Sequence, residues 1–311
     1  MVGDRAQPGR LWAMIAVVAG ALLTAVVVWL VPPLIYPAQA AEARAALQAG
    51  LLTATAAIVA VGGGLVALFE TRRANEDTHV RELYTRAVDQ LGADEEIIRL
   101  GGIYALERIA TDSPGDGRTV GEVLSAFVRS RSTDPTLRMS QPTLQAADVR
   151  AAVQVLGRRP VRPDLYLRMR ADLHGADLTG PASLADLDLV AANLAYVHLD
   201  GADLSRARLS NADLFRAHLN GTLLTEARLR RATLIGAYID GANMIGALLI
   251  DANLMGATLR GSNLAGADLR GADLSGAEGL TQEQVNSAIG DRRTRLPVGL
   301  TRPLSWMSMP A

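Results

Sequence analysis

From Leu189 onward, one column of large apolar residues recurs every five positions without a break, and few backbone conformations tolerate that spacing. The column runs through 18 positions to Leu274; 16 are Leu, and Ile239 and Met244 are of similar size. Two residues before each lies a mostly alanine column, including Ala192, Ala202, Ala207, Ala212, Ala217, Ala227 and Ala232. The same phase is visible earlier at Leu173 and Leu178, and a one-residue insertion around Pro181 moves it to Leu184. An α-helix cannot keep this column on one face, because five residues rotate the chain by about 500°, roughly 140° past a full turn. A flat strand fails too, since an odd period sends successive leucines to opposite faces. A coil with a turn every five residues satisfies both columns. The large residue fills the centre of each side, alanine fits where the chain turns inward, and backbone groups pair with the coils on either side.

The motif A-(D/N)-L-x-x, as in Ala202-Asp203-Leu204-Ser205-Arg206 or Ala252-Asn253-Leu254-Met255-Gly256, resembles the pentapeptide-repeat family. The resemblance implies a right-handed, four-sided β-helix with twenty residues per coil over about 171–279. Residues twenty apart should then stack, and chemical columns do occur at that spacing. Gly201, Gly221, Gly241 and Gly261 form one; His198 and His218 begin another, continued by Tyr238 and Thr258. Five coils of about 4.8 Å each give a rod of roughly 24 Å. Both ends need covering, because a bare coil exposes edges that template aggregation. At the C-terminal end Thr281 and Gln284 have the spacing of a capping box, which predicts a capping helix over 281–290 before a tail at 291–311. The helical segment, or Leu165–Met169, is expected to cover the first coil. The repeat domain is placed at 164–280.

Leu11–Val31 is an uncharged run of 21 residues that Pro32 and Pro33 end. A second uncharged run, Ala45–Phe69, holds Gly62, Gly63 and Gly64, small residues of the kind that let membrane helices approach closely. These runs predict a two-helix transmembrane hairpin: a cytoplasmic N-terminus at 1–10, spans at 11–31 and 45–69, and an external connector at 32–44. Arg5 and Arg10 before it, and Arg72, Arg73 and Arg81 after it, place both ends in the cytoplasm by the positive-inside rule. The expected location is a bacterial inner membrane, with the body on its cytoplasmic side. Two other readings stay open: a signal peptide cleaved at Ala38-Gln39-Ala40, or two core helices of a soluble protein.

Residues 70–163 read as a small α-helical domain. Apolar residues at a 3.6-residue period predict helices over Thr78–Leu91 and Glu95–Ala110, with two more over Thr119–Val128 and Thr143–Leu156. The stretch Ile98-Arg99-Leu100-Gly101-Gly102-Ile103-Tyr104 resembles the second helix of a HEAT-like pair. Its apolar residues are expected to pack and its Arg and Glu residues to form a solvated face. The hairpin, the helical segment and the repeat, together with the tail around Thr294–Pro297 and Leu300–Pro303, resemble membrane-anchored actinobacterial members of the repeat family.

Little of this chain suggests chemistry. There is no Cys, which excludes thiolate metal sites and a cysteine nucleophile, and all 31 basic residues are Arg. No P-loop, nucleophile elbow or dinucleotide fingerprint is present. His198 and His218 should stack on one outer face with Asp200 nearby, and they are expected to be two surface imidazoles rather than part of a metal site of three or four convergent ligands. No catalytic residue, cofactor or metal is therefore expected, and the chain is not expected to be an enzyme. The residue after each central Leu should point outward, which yields a partner-binding stripe of Phe215, Ile235 and Met255 beside Tyr196. Arg208, Arg228, Arg230 and Arg231 form a candidate basic patch. The expected function is a non-catalytic, membrane-anchored scaffold that presents the repeat to a cytoplasmic protein partner or a second copy. An alternative, implied by the family resemblance, is a DNA mimic that binds DNA gyrase. Residues 171–279 carry 13 acidic residues against eight Arg, a net of −5, too few and too interrupted for a continuous acidic face. Nucleic acid itself is not an expected partner, since the formal net charge of the chain is −1. A catalytic helical domain is a further alternative, without a residue constellation behind it.

Overall fold

The computed structural model describes residues 20, 26–35, 40–113, 115–135, 146–158, 170–180 and 183–307. The chain divides into two compact units, Met1–Arg81 and Glu82–Ala311. In the first, a helical stretch at 26–35 precedes α1, a helix of 51 residues over Ala41–Leu91 whose last turns belong to the second unit.

This corrects the membrane expectation. Among the described residues no helix is long and apolar enough to cross a membrane. The run at 45–69 is the middle of one continuous helix, diluted by Gln48, Thr53, Thr55 and three consecutive glycines, that continues through the charged residues beyond Thr71. The expected span at 11–31 lies mostly outside the described residues, as does the cleavage site at Ala38–Ala40 apart from Ala40 itself. The transmembrane hairpin and the inner-membrane location lose their basis together.

Within the second unit, α2 (Glu96–Asp112), α3 (Gly117–Ser132) and α4 (Ala147–Leu156) pack with the end of α1. Ile103, Leu106, Val120, Leu124, Val128, Val149 and Val153 supply the core. Gly102 is needed where it stands: a Cβ there would lie 2.6 Å from the Ala87 carbonyl oxygen, so the close approach of α2 to α1 has no room for a side chain. Not every apolar residue of α2 packs, because Ile97, Ile98 and Tyr104 are exposed. One of its charged residues does the opposite. Arg99 is buried, and its Nε donates to Asp148 Oδ2 of α4 at 2.6 Å. Its Nη1 donates to the carbonyls of Ala93 and Asp94, at 2.8 and 2.6 Å. Arg131 of α3 reaches the same carboxylate oxygen at 3.4 Å, so one buried acid ties three helices together.

From residue 183 to 278 the chain forms turns of twenty residues. Each turn contacts the next through isolated parallel bridges, as in Asp203↔Leu223, Arg208↔Arg228, Asp213↔Thr233 and His218↔Tyr238. The expected β-helix of strands is corrected here: among the described residues there is no strand and no sheet, only single-residue bridges. The physical reason is the corner. From 186 to 276 every fifth residue has a left-handed φ, so no extended run outlasts three residues. Ten of these corners are glycine. Nine are not, among them Ala191, Tyr196, Arg206 and Glu226, and each such residue costs roughly 1–2 kcal/mol. Hydrogen bonds offset that cost. Leu204 N–H donates to Leu223 O at 2.8 Å and Arg206 N–H to Thr225 O at 2.8 Å, while Leu223 N–H returns to Ala202 O at 2.9 Å. Every leucine-column residue from Leu189 to Leu274 is at most 3% exposed. Thr222 and Ser262 stand in the alanine column, and each hides its hydroxyl by donating to a backbone carbonyl, of Leu199 and Leu259 respectively.

Before residue 183 the bridges run Asp172↔Asn193 and Asp177↔His198, an offset of 21 rather than 20, which is the footprint of the inserted residue. Among the described residues the first turn has no predecessor to receive its amides. Asp172 N–H donates instead to Ser125 Oγ at 3.2 Å and Asp177 N–H to Ser132 Oγ at 3.1 Å. The two serines are seven residues apart on α3, about 10.5 Å along one face of the helix. Asp188 N–H donates to the Gly157 carbonyl at 2.8 Å. Leu165–Met169 lies outside the described residues.

At the other end, α5 (Gln282–Ser287) starts with a capping box in which Thr281 and Gln284 exchange side-chain and backbone bonds. Leu269 and Leu274 then donate to the carbonyls of Ile289 and Arg295. Trp306, in α6 (Leu304–Met307), is 1% exposed and donates from Nε1 to Ala288 O at 3.2 Å. It lies so close over Gly290 that a Cβ there would meet its ring at 2.5 Å.

Candidate interaction surface

Three residues of each five reach the surface: those before and after the central leucine and the corner residue that follows. The first is Asp or Asn in nine of the eighteen rungs from 188 to 273, and there it serves the corner. Asp203 Oδ1 accepts from Ser205 N–H at 3.0 Å, Asp213 Oδ1 from Phe215 N–H at 3.0 Å, and Asn253 Oδ1 from Met255 N–H at 3.1 Å. The acids directly before the leucine are therefore turn-forming groups, whereas Asp200 and Asp240, which follow it, accept from backbone N–H groups one rung on. Hydrogen bonds from Ser205 and Ser275 hold the Asp203 and Asp273 carboxyls below their usual range, against an upward push from burial. Burial also pushes Asp172 up, but the His174 imidazole and Arg129 outweigh it.

The predicted stripe occupies successive turns of one side. Arg216 N–H donates to Ile235 O at 3.0 Å and Gly236 N–H to Met255 O at 2.9 Å, which sets Phe215, Ile235 and Met255 on consecutive rungs. Tyr196 belongs to the adjacent corner, with φ 58°, and its ring meets Phe215 edge-on at 5.4 Å and 84°. The Arg216 guanidinium lies 5.5 Å from the Phe215 ring centroid. Tyr196 is 50% exposed and Met255 44%, while Phe215 and Ile235 are half-buried.

The basic patch divides. Arg208 Nη1 donates to Asp188 Oδ2 at 2.7 Å, one turn back. Arg228, Arg230 and Arg231 are exposed, and among the described residues they have no ion pair. Further exposed apolar residues of the repeat, Leu223, Tyr238, Ile245 and Leu248, lie outside the stripe. Leu223 and Leu248 had a sequence signal, since each stands where the motif normally has Asp or Asn.

A protein of stacked identical rungs, with leucine inside and a turn-forming acid outside, is a repeat protein of the five-residue class. The pentapeptide repeats family matches in eight copies, over residues 182–221, 212–251 and 252–278. Similar solved structures include the pentapeptide repeat protein Rfr23 of the cyanobacterium Cyanothece 51142, 38% identical over 30% of this chain, with a TM-score of 0.28. This chain spans 63% of that protein's length. A pentapeptide repeat protein of the Arabidopsis thaliana thylakoid lumen is 31% identical over 38% of this chain and 79% of its own, with a TM-score of 0.21. QnrB1, a plasmid-mediated fluoroquinolone resistance protein, is 18% identical over 39% of this chain and 74% of its own, with a TM-score of 0.24. No curated protein matches. Over residues 182–278 the chain is a member of the pentapeptide-repeat family.

Proposed function

We propose that this chain is a non-catalytic interaction protein that holds a protein partner on the side carrying Tyr196, Phe215, Ile235 and Met255. The observation behind this reading is the apolar stripe on consecutive rungs of one side, with Tyr196 and Met255 exposed, Phe215 and Ile235 half-buried, and the Tyr196 and Phe215 rings in edge-on contact. Tyr, Phe, Met and Arg are the side chains enriched at the centre of protein interfaces, and Arg216 beside Phe215 completes that set. Arg228, Arg230 and Arg231 suit an acidic rim on the partner.

The test is affinity capture with the full chain and with Phe215→Arg/Met255→Arg. Both residues lie outside the leucine column, so the circular dichroism spectrum should not change. Loss of two interface anchors should weaken a partner's binding by about 30-fold or more. An unchanged partner list rejects the stripe.

The DNA-mimic alternative has no observation in its favour. Arg206 pairs with Asp186, Arg208 with Asp188, Arg270 with Asp268 and Arg295 with Asp273, which breaks up the acidic surface that mimicry requires.

A further inference from the structure

His198 and His218 face each other across one bridge, with ring centroids 4.3 Å apart and planes 19° from parallel. The next rung adds Tyr238, whose ring centroid is 4.7 Å from that of His218. Among the described residues neither imidazole has a hydrogen-bond partner. His174, by contrast, is engaged by Asp172 at 2.9 Å. Asp200 lies two residues beyond His198. Its Oδ1 accepts from Asn220 N–H at 2.8 Å, and its Oδ2 is not used in that bond. One donor atom from each of His198, Asp200 and His218 lies within 4.8 Å of the others, and all three residues are half-buried.

From this geometry we infer a three-ligand site for a late first-row divalent cation, Zn²⁺ above all, independent of the proposed interaction stripe. The donor set is that of a zinc centre with three protein ligands and a fourth, open position. Neutral imidazole suits Zn²⁺, Ni²⁺ and Cu²⁺, whereas a hard oxygen-seeking cation such as Mg²⁺ gains little from two nitrogens. Zn–N bonds of about 2.0–2.1 Å hold tetrahedral donors roughly 3.4 Å apart, so the rings must turn out of their parallel stack and converge. Side-chain rotation alone is asked for, since the bridge already fixes the two backbones. The Asn220 N–H bond orients the Asp200 carboxylate, the usual role of an outer group at a metal centre. A bound cation would clamp two consecutive turns of the stack. Its open position would hold water or a donor from another molecule.

Zn²⁺ titration of the untagged full chain by calorimetry, with Co²⁺ absorption as a second probe, tests this. One ion per chain is expected. His198→Ala and His218→Ala should each weaken binding by about tenfold or more, and His174→Ala should leave it unchanged. Should an alanine variant fold poorly, the unsubstituted chain decides: Zn²⁺ must shift the ring resonances of His198 and His218 and spare the other two histidines. Binding that survives in the His198→Ala/His218→Ala chain overturns the site, and so does an absence of binding to the unsubstituted chain at about 1 mM Zn²⁺.

Discussion

The helices α2–α4 and the repeat stack reach stability by opposite routes within one compact unit. The stack spreads its stabilisation over equivalent rungs, each with its leucine, its alanine and its corner bond. The helices concentrate theirs, with Asp148 fully buried and its Oδ2 serving both Arg99 and Arg131. Periodic packing makes each position nearly interchangeable with the one five residues away. Packing around one charged atom makes a single residue irreplaceable.

The sharpest way to break this contrast is Asp148→Ala. It leaves Arg99 buried and uncompensated and should cost about 3–5 kcal/mol by denaturant unfolding. A loss under about 1 kcal/mol would show that the carboxylate does not hold the helices together. Next in size, Leu229→Ala should cost about 2–4 kcal/mol, and Leu209→Ala or Leu249→Ala nearly the same, since all three are fully buried in equivalent rungs. Widely different costs would refute the equivalence of the turns. Smallest, and opposite in sign, is Ala191→Gly at a corner with φ 56°. Relief of the left-handed strain should raise stability by about 0.5–1 kcal/mol, and a decrease would mean that the corner carries no strain.

The leucine and alanine columns were readable because burial repeats with the sequence, and the slip near Pro181 returns as the change in bridge offset from 21 to 20. The corners were less readable. Glycine marks about half of them, but Asp186, Arg206, Tyr196 and Glu226 adopt the same backbone and look like ordinary surface residues. Sequence placed Tyr196 beside the stripe, and the turn geometry supplies its edge-on contact with Phe215. Nothing local distinguished Arg99 from its solvated neighbours, because its partner lies 49 residues away. The same holds for Trp306, whose seat over Gly290 comes from the path of the tail. The apolar run at 45–69 misled because a window of hydropathy does not reveal that its helix continues without interruption to Leu91.

Because Ser125 and Ser132 finish one rim, and α5 with Trp306 finishes the other, length is a free variable between them. A duplication of twenty residues inside the stack would keep every column in phase and leave both terminal fittings untouched. Such a chain can lengthen in whole steps, like a ruler with fixed end-stops. An extra residue fits at the first turn or the last, where the bridge offsets already exceed twenty, and would throw each later leucine out of line between them.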